Sequence, residues 1–203
     1  MNTGINIRFS RTEVIHLLVA WFAISLAFSF LFTRDFVELP LYIAISVITV
    51  GIGFLLHELA HKVVAQRYGA WAEFRMSIQN LMLAILLAYG AGIVFAAPGA
   101  VHIFSQQISV KRNGLISAAG PLTNLLLLLL FAVLLLGGMF YEIKLLQTVG
   151  HFGVLINSML AAFNMIPFGV LDGRKIFIWN KQVYAALAAP AFLLFIYSIM
   201  FLR

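Results

Sequence analysis

The sequence predicts an all-α polytopic membrane protein, and three observations carry that prediction. Apolar residues make up 63% of the 203 residues and charged residues only 10%, against about 25% charged in soluble domains. Mean hydropathy is +1.04. The apolar residues gather into runs close to the roughly 20 residues that carry a helix across a hydrocarbon core. So few charges cannot cover a water-facing surface, which excludes a soluble enzyme, a nucleic-acid module and a disordered tail. The formal net charge of +6 then marks cytoplasmic loops and contacts with anionic lipid, not nucleic acid. Cysteine is absent, so no disulfide framework is expected.

The first run, Val14 to Phe32, follows Arg8 and Arg11. It exceeds a signal-peptide core and no small-residue cleavage site follows, so it reads as an anchoring span. The second extends from about Leu41 to Ala65 and is interrupted by a polar cluster at His57 to Lys62. Leu81 to Ala97 is the third run, and Leu115 to Phe140, Val149 to Ile166 and Val183 to Leu202 follow. Lys and Arg accumulate in cytoplasmic loops. Arg8 and Arg11, then Lys62, Arg67 and Arg75, then Lys111 and Arg112, then Arg174, Lys175 and Lys181 therefore mark one side. Arg34 and Lys144, each beside acidic residues, mark the other. The order reads in, out, in, in, out, in, with a cytoplasmic N-terminus.

The third run has basic flanks at both ends, so a simple crossing would break this order. Gly90, Gly92, Pro98 and Gly99 also interrupt a regular helix. The segment around 74–104 is therefore expected to be a re-entrant or hairpin element beside five spans, with a sixth full span as the alternative.

Ionisable groups inside a membrane helix are costly and point to function. The second run contains His57-Glu58-Leu59-Ala60-His61. Positions i and i+4 share a helix face, so both imidazoles can reach one metal ion. Glu58 stands about a third of a turn away, placed to reach a water rather than to act as a ligand. This is the H-E-x-x-H arrangement of zinc hydrolases, in which the carboxylate is the general base. Five His and five Glu in 203 residues give about 0.003 chance matches per chain, so coincidence is a poor account. Lys62 is expected to snorkel from the helix end.

Catalytic zinc takes three protein ligands, and only two aspartates exist, Asp35 and Asp172. Asp35 lies beside Arg34 and Glu38 in a solvated loop. Asp172 precedes Gly173, a common turn dipeptide. It also follows a run that travels in the same direction as the one carrying His57, so its depth in the membrane suits a shared site. Gly120-Pro121 reads as a helix break or start, and Asn124 as a hydrogen-bonding contact to a neighbouring helix.

These motifs together resemble the site-2 protease family of intramembrane zinc metalloproteases (peptidase family M50). The resemblance rests on HELAH at 57–61, on Ala119-Gly120-Pro121-Leu122-Thr123-Asn124, and on Asn164-x-x-Pro167 with Leu171-Asp172-Gly173. One position departs, Val170, where many relatives carry proline before the Leu-Asp-Gly. The resemblance implies one zinc per chain held by His57, His61 and Asp172, with Glu58 activating water. Asn164 would lie near the substrate backbone or the developing oxyanion, and the 74–104 segment would present an edge strand to an unwound substrate. It implies a single membrane-embedded protease domain over 1–203, with a catalytic core at about 41–175 and peripheral spans at 14–32 and 183–202. A minimal form without PDZ or CBS domains is expected, in the plasma membrane of a prokaryote. The expected partners are membrane lipid and a transmembrane-protein substrate, cut near its cytoplasmic side. Two rivals remain at this point: a catalytically inactive scaffold of the same fold, and a small transporter using the same buried groups as a transit site.

Overall fold

The computed structural model describes residues 7–94, 98–104 and 108–201. Among the described residues, five helices are long and apolar enough to cross a membrane. The first is α1 (Arg11–Phe32), capped by Ser10, whose hydroxyl accepts the Glu13 N–H at 3.1 Å. The second crossing, Leu39–Arg67, combines α2 (Leu39–Ser46), a π-helical turn (Val47–Gly51) and α3 (Ile52–Arg67). Trp21 of α1 packs at that turn and its indole N–H donates to the Val47 carbonyl at 3.1 Å. A backbone irregularity at membrane depth is thus satisfied by protein, as lipid requires.

The predicted re-entrant segment is built as β1 (Trp71–Met76), α4 (Ile78–Ala91) and β2 (Gly99–Phe104). Of the run Leu81 to Ala97, residues 95–97 lie outside the described ones. At 14 residues, α4 reaches about 21 Å, short of a hydrocarbon core near 30 Å. Gly92 ends it in the left-handed conformation, φ 69°. The chain then returns, and β2 pairs antiparallel with β1 from Trp71↔Phe104 to Met76↔Gly99. Ala84 and Ala88 of α4 pack on Ala27 of α1. The all-α membrane architecture expected from the sequence is present, and the edge strand that the resemblance implied within 74–104 belongs to a two-stranded sheet folded against the helices.

The helices α5 (Val110–Phe140) and α6 (Lys144–Asn164) form the central hairpin. A Cβ on Gly153 would stand 2.1 Å from the Phe131 ring. Such close approach replaces the hydrophobic drive that lipid cannot supply between helices. Gly120-Pro121 neither starts nor breaks α5, contrary to expectation. The helix begins at Val110 and runs through Pro121, with the Thr123 hydroxyl donating to the Ala119 carbonyl nearby at 2.8 Å. The short α7 (Asp172–Trp179) then leads into α8 (Lys181–Phe201), which packs on α6 through Ala188 and Ala191.

Lys62 overturns another expectation. It does not snorkel but is 1% exposed and paired with Glu13, itself 0% exposed. Removing one partner of a buried pair of this kind costs about 3–5 kcal/mol, because the other charge is left uncompensated.

Candidate metal centre

Helix α3 brings His57, Glu58 and His61 to its inner part, His61 standing about 9 Å from the helix end at Arg67 by helical rise. The start of α5 and the end of α6 meet α3 at this level, and the bend at Pro167 to Gly169 returns the chain so that α7 begins there. Gly169 takes φ 63° in that bend, a conformation glycine adopts freely.

Asp172 Oδ2 lies 3.3 Å from His57 Nε2 and 3.0 Å from His61 Nε2, and the two Nε2 atoms are 3.0 Å apart. Tetrahedral ligands about 2.0–2.1 Å from zinc stand roughly 3.3 Å from one another, so the spacing suits one ion. All three residues are buried. Asp35 takes no part: its carboxylate accepts the Val37 N–H in the loop after α1.

The hydrogen bonds behind the rings assign their outward atoms. His57 Nδ1 is 2.6 Å from Asn124 Oδ1, and His61 Nδ1 is 2.8 Å from the Ile116 carbonyl. Which end of the Asn124 amide faces His57 is settled by its other partners. The same side chain reaches the Gly53 carbonyl at 3.2 Å and Asn157 Oδ1 at 3.0 Å, both acceptors, so Nδ2 points there and Oδ1 faces the ring. Asn157 is oriented in turn by its bond to the Gly153 carbonyl at 2.9 Å. Each neutral ring therefore carries its proton on Nδ1 and directs the Nε2 lone pair inward. Three acceptors converge without a proton to share, an arrangement that a cation stabilises.

Space for that cation is left by Gly120. A Cβ there would lie 2.5 Å from both Nε2 atoms. The residues present thus fit a metal ion in donor type, spacing and room.

Asp172 divides its two oxygens. Oδ2 faces the rings and Oδ1 lies 3.5 Å from Lys175 Nζ. As a carboxylate it supplies the anionic ligand of the set.

The centre opens into a cleft of about 170 Å³, lined by Glu58, Val101, Asn164 and Asp172 among others. Glu58 is partly exposed there, beside the backbone amide of Val101 in β2. Asn164 lines the same cleft while its amide donates to the Leu160 carbonyl at 3.0 Å.

Sequence reasoning brought His57, Glu58, His61, Asp172 and Asn164 to one site and the structure gathers all five around this cleft. It missed Gly120 as the cradle, Asn157 and the Ile116 carbonyl as supports, and Lys175 beside Asp172. Asn157 carried a usable signal, an isolated amide inside an apolar run. A backbone carbonyl has none.

Fold and site together define a polytopic membrane protein with a buried two-His, one-Asp centre. No family model matches the chain, and no solved structure matches it. A protein of Methanocaldococcus jannaschii named "Putative zinc metalloprotease" is 42% identical over 183 residues, 90% of this chain and 92% of that one. A protein of the same name from Bacillus subtilis is 28% identical over 144 residues, 64% of this chain and 66% of that one. The chain belongs to the zinc metalloprotease family that these relatives represent, and zinc is its cofactor.

Proposed function

We propose that the chain is an intramembrane zinc metalloprotease of the site-2 type, a single membrane-embedded domain holding one zinc. It hydrolyses a peptide bond in the transmembrane segment of a membrane-protein substrate, near the cytoplasmic end of that segment. The observation that carries this reading is the placement of three converging metal ligands, His57, His61 and Asp172, beside the Glu58 carboxylate in the inner part of a membrane-spanning helix.

When bound, zinc polarises the scissile carbonyl and makes an attacking water more acidic. Asn124 and the Ile116 carbonyl hold His57 and His61 in the tautomer that presents Nε2. Glu58 accepts the proton of the attacking water and passes it to the leaving nitrogen. Asn164 steadies the substrate backbone or the oxygen on which charge develops. A helical substrate must first unwind, and each backbone group then left unpaired in lipid costs several kcal/mol. The edge of β2 along the cleft supplies replacement partners by strand addition.

Ten of the thirteen Lys and Arg residues stand at the end of the molecule that holds the centre. That asymmetry supports a cytoplasmic site and N-terminus, and we place the protein in a prokaryotic plasma membrane.

The test is co-expression with a panel of tagged single-span membrane proteins. Cleavage within the hydrocarbon segment, abolished by chelation and restored by zinc, is expected. Cuts confined to loops outside the bilayer, or cleavage indifferent to chelation, would overturn the reading.

Loss of the amide behind His57 is also measurable. Asn124→Leu is expected to weaken zinc binding about 10–100-fold, the usual effect of removing a partner of a ligand. Competition with a chromophoric chelator in detergent reads the change.

A further inference from the structure

The Glu13–Lys62 pair occupies a place where a third strand would lie. Antiparallel strands alternate their backbone groups between two edges. On β1, the Phe74 N–H donates to Glu13 Oε1 at 3.0 Å, and the Ala72 carbonyl accepts from Lys62 Nζ at 3.1 Å. Residues 72 and 74 therefore turn their backbone groups away from β2. Trp71, Glu73 and Arg75 turn theirs toward it, opposite Phe104, His102 and Ala100.

The same alternation sends the backbone groups of Gly99, Val101 and Ile103 to the far edge of β2. All three residues line the cleft, and the Val101 amide lies beside Glu58. One edge of the sheet is thus closed by an ion pair and the other faces the site.

Further contacts surround the pair. Lys62 also stands 4.2 Å from the Phe9 ring centroid. One turn along α3, Gln66 exchanges two hydrogen bonds with the Arg8 backbone, at 2.9 and 3.0 Å. Ser10-Arg11-Thr12-Glu13 has the pattern of a capping box, in which Glu13 would reach back to its own helix start. Its carboxylate instead serves β1.

We infer that Glu13 and Lys62 act as a surrogate strand that seals the outer edge of β1. They leave the cleft edge of β2, through Gly99, Val101 and Ile103, as the edge where a substrate strand pairs. This deepens the proposed function and rests on it for the identity of the occupant. Lys62 directly follows the second histidine of the motif, so the pair also ties the height of the sheet to the helix that carries Glu58. Both are positioning residues. An unsealed β1 would offer a second edge for pairing, remote from the carboxylate.

The test uses backbone hydrogen exchange, read residue by residue by NMR on the full chain in detergent micelles, with zinc per chain measured in parallel. In wild type the Phe74 amide should exchange as slowly as those of Glu73 and Arg75. The double variant Glu13→Leu/Lys62→Met replaces a buried pair with apolar groups, an exchange that folds commonly tolerate. It leaves the Phe74 N–H without its acceptor, so Phe74 should exchange at least about tenfold faster. Glu73 and Arg75 should keep their protection and zinc its stoichiometry. Glu13→Gln retains an acceptor oxygen and should restore Phe74 to within about threefold of wild type.

Fast exchange of Phe74 in wild type would overturn the inference without any variant. Unchanged protection of Phe74 in the double variant would do so too, as would equal acceleration of all three amides, which would mean general loosening. No substrate enters this measurement. Failure here leaves the protease reading intact, and absence of proteolysis leaves the edge closure intact.

Discussion

Asp172→Ala is expected to strip the purified protein of zinc, from near one ion per chain to less than a tenth of that by elemental analysis. The two histidines are held by one helix turn and survive the change. They offer two ligands on one side of the ion only, and catalytic zinc sites are built from three. The loss should exceed the roughly 100-fold that removing a partner of a ligand can cost. Asp172 also provides the negative charge at the centre, since neutral imidazoles supply none. Its neighbours make the change informative, because Lys175, 3.5 Å from Oδ1, would be left facing the ion and would oppose it. Zinc retained at wild-type stoichiometry would mean that a different side chain completes the site.

Glu58→Gln is expected to separate metal binding from turnover. Gln is close in shape to Glu and Glu58 is not among the three converging ligands, so zinc content should remain at wild-type stoichiometry. The amide cannot take the proton of the attacking water. Loss of a positioned general base lowers rates by about 10²–10⁴-fold, and cleavage of a membrane substrate should fall by that amount. Full activity in Glu58→Gln would eliminate the proposed mechanism. Loss of zinc along with activity would instead show that Glu58 shapes the centre.

The features legible in the sequence are those with a short period or a local cause. The crossings were visible because a bilayer demands a minimum apolar length. Observed helix limits differ from the predicted runs chiefly where capping or polar residues extend a helix past its apolar stretch, as at Ser109, whose hydroxyl accepts the Arg112 N–H. The doubly basic flanks of the third run foretold its return, but its bounding by paired strands was signalled only by the resemblance, which implied an edge strand there, and not by the residue pattern. Strand pairing between residues 71 and 104 depends on what packs beside them, and six-residue segments carry too little pattern to announce it.

Lys62 shows the limit most plainly. A lysine at a helix end near an interface snorkels by default, and nothing within its own helix argues otherwise. Its partner Glu13 stands 49 residues away and carries the local signature of a helix cap. Only the folding of β1 between α1 and α3 turns both side chains inward.

Composition and residue spacing alone establish that this is a membrane protein, roughly how many times it crosses, and that His57 and His61 share a face beside Glu58. Each follows from helical geometry or from solvent, which act over one turn or one span. Packing between distant segments settled which glycine leaves room for the ion, how the amide 67 residues from His57 sets its tautomer, and which edge of the small sheet meets the cleft. Those outcomes depend on approaches between segments distant in sequence, where packing and the pairing of buried polar groups choose the partner.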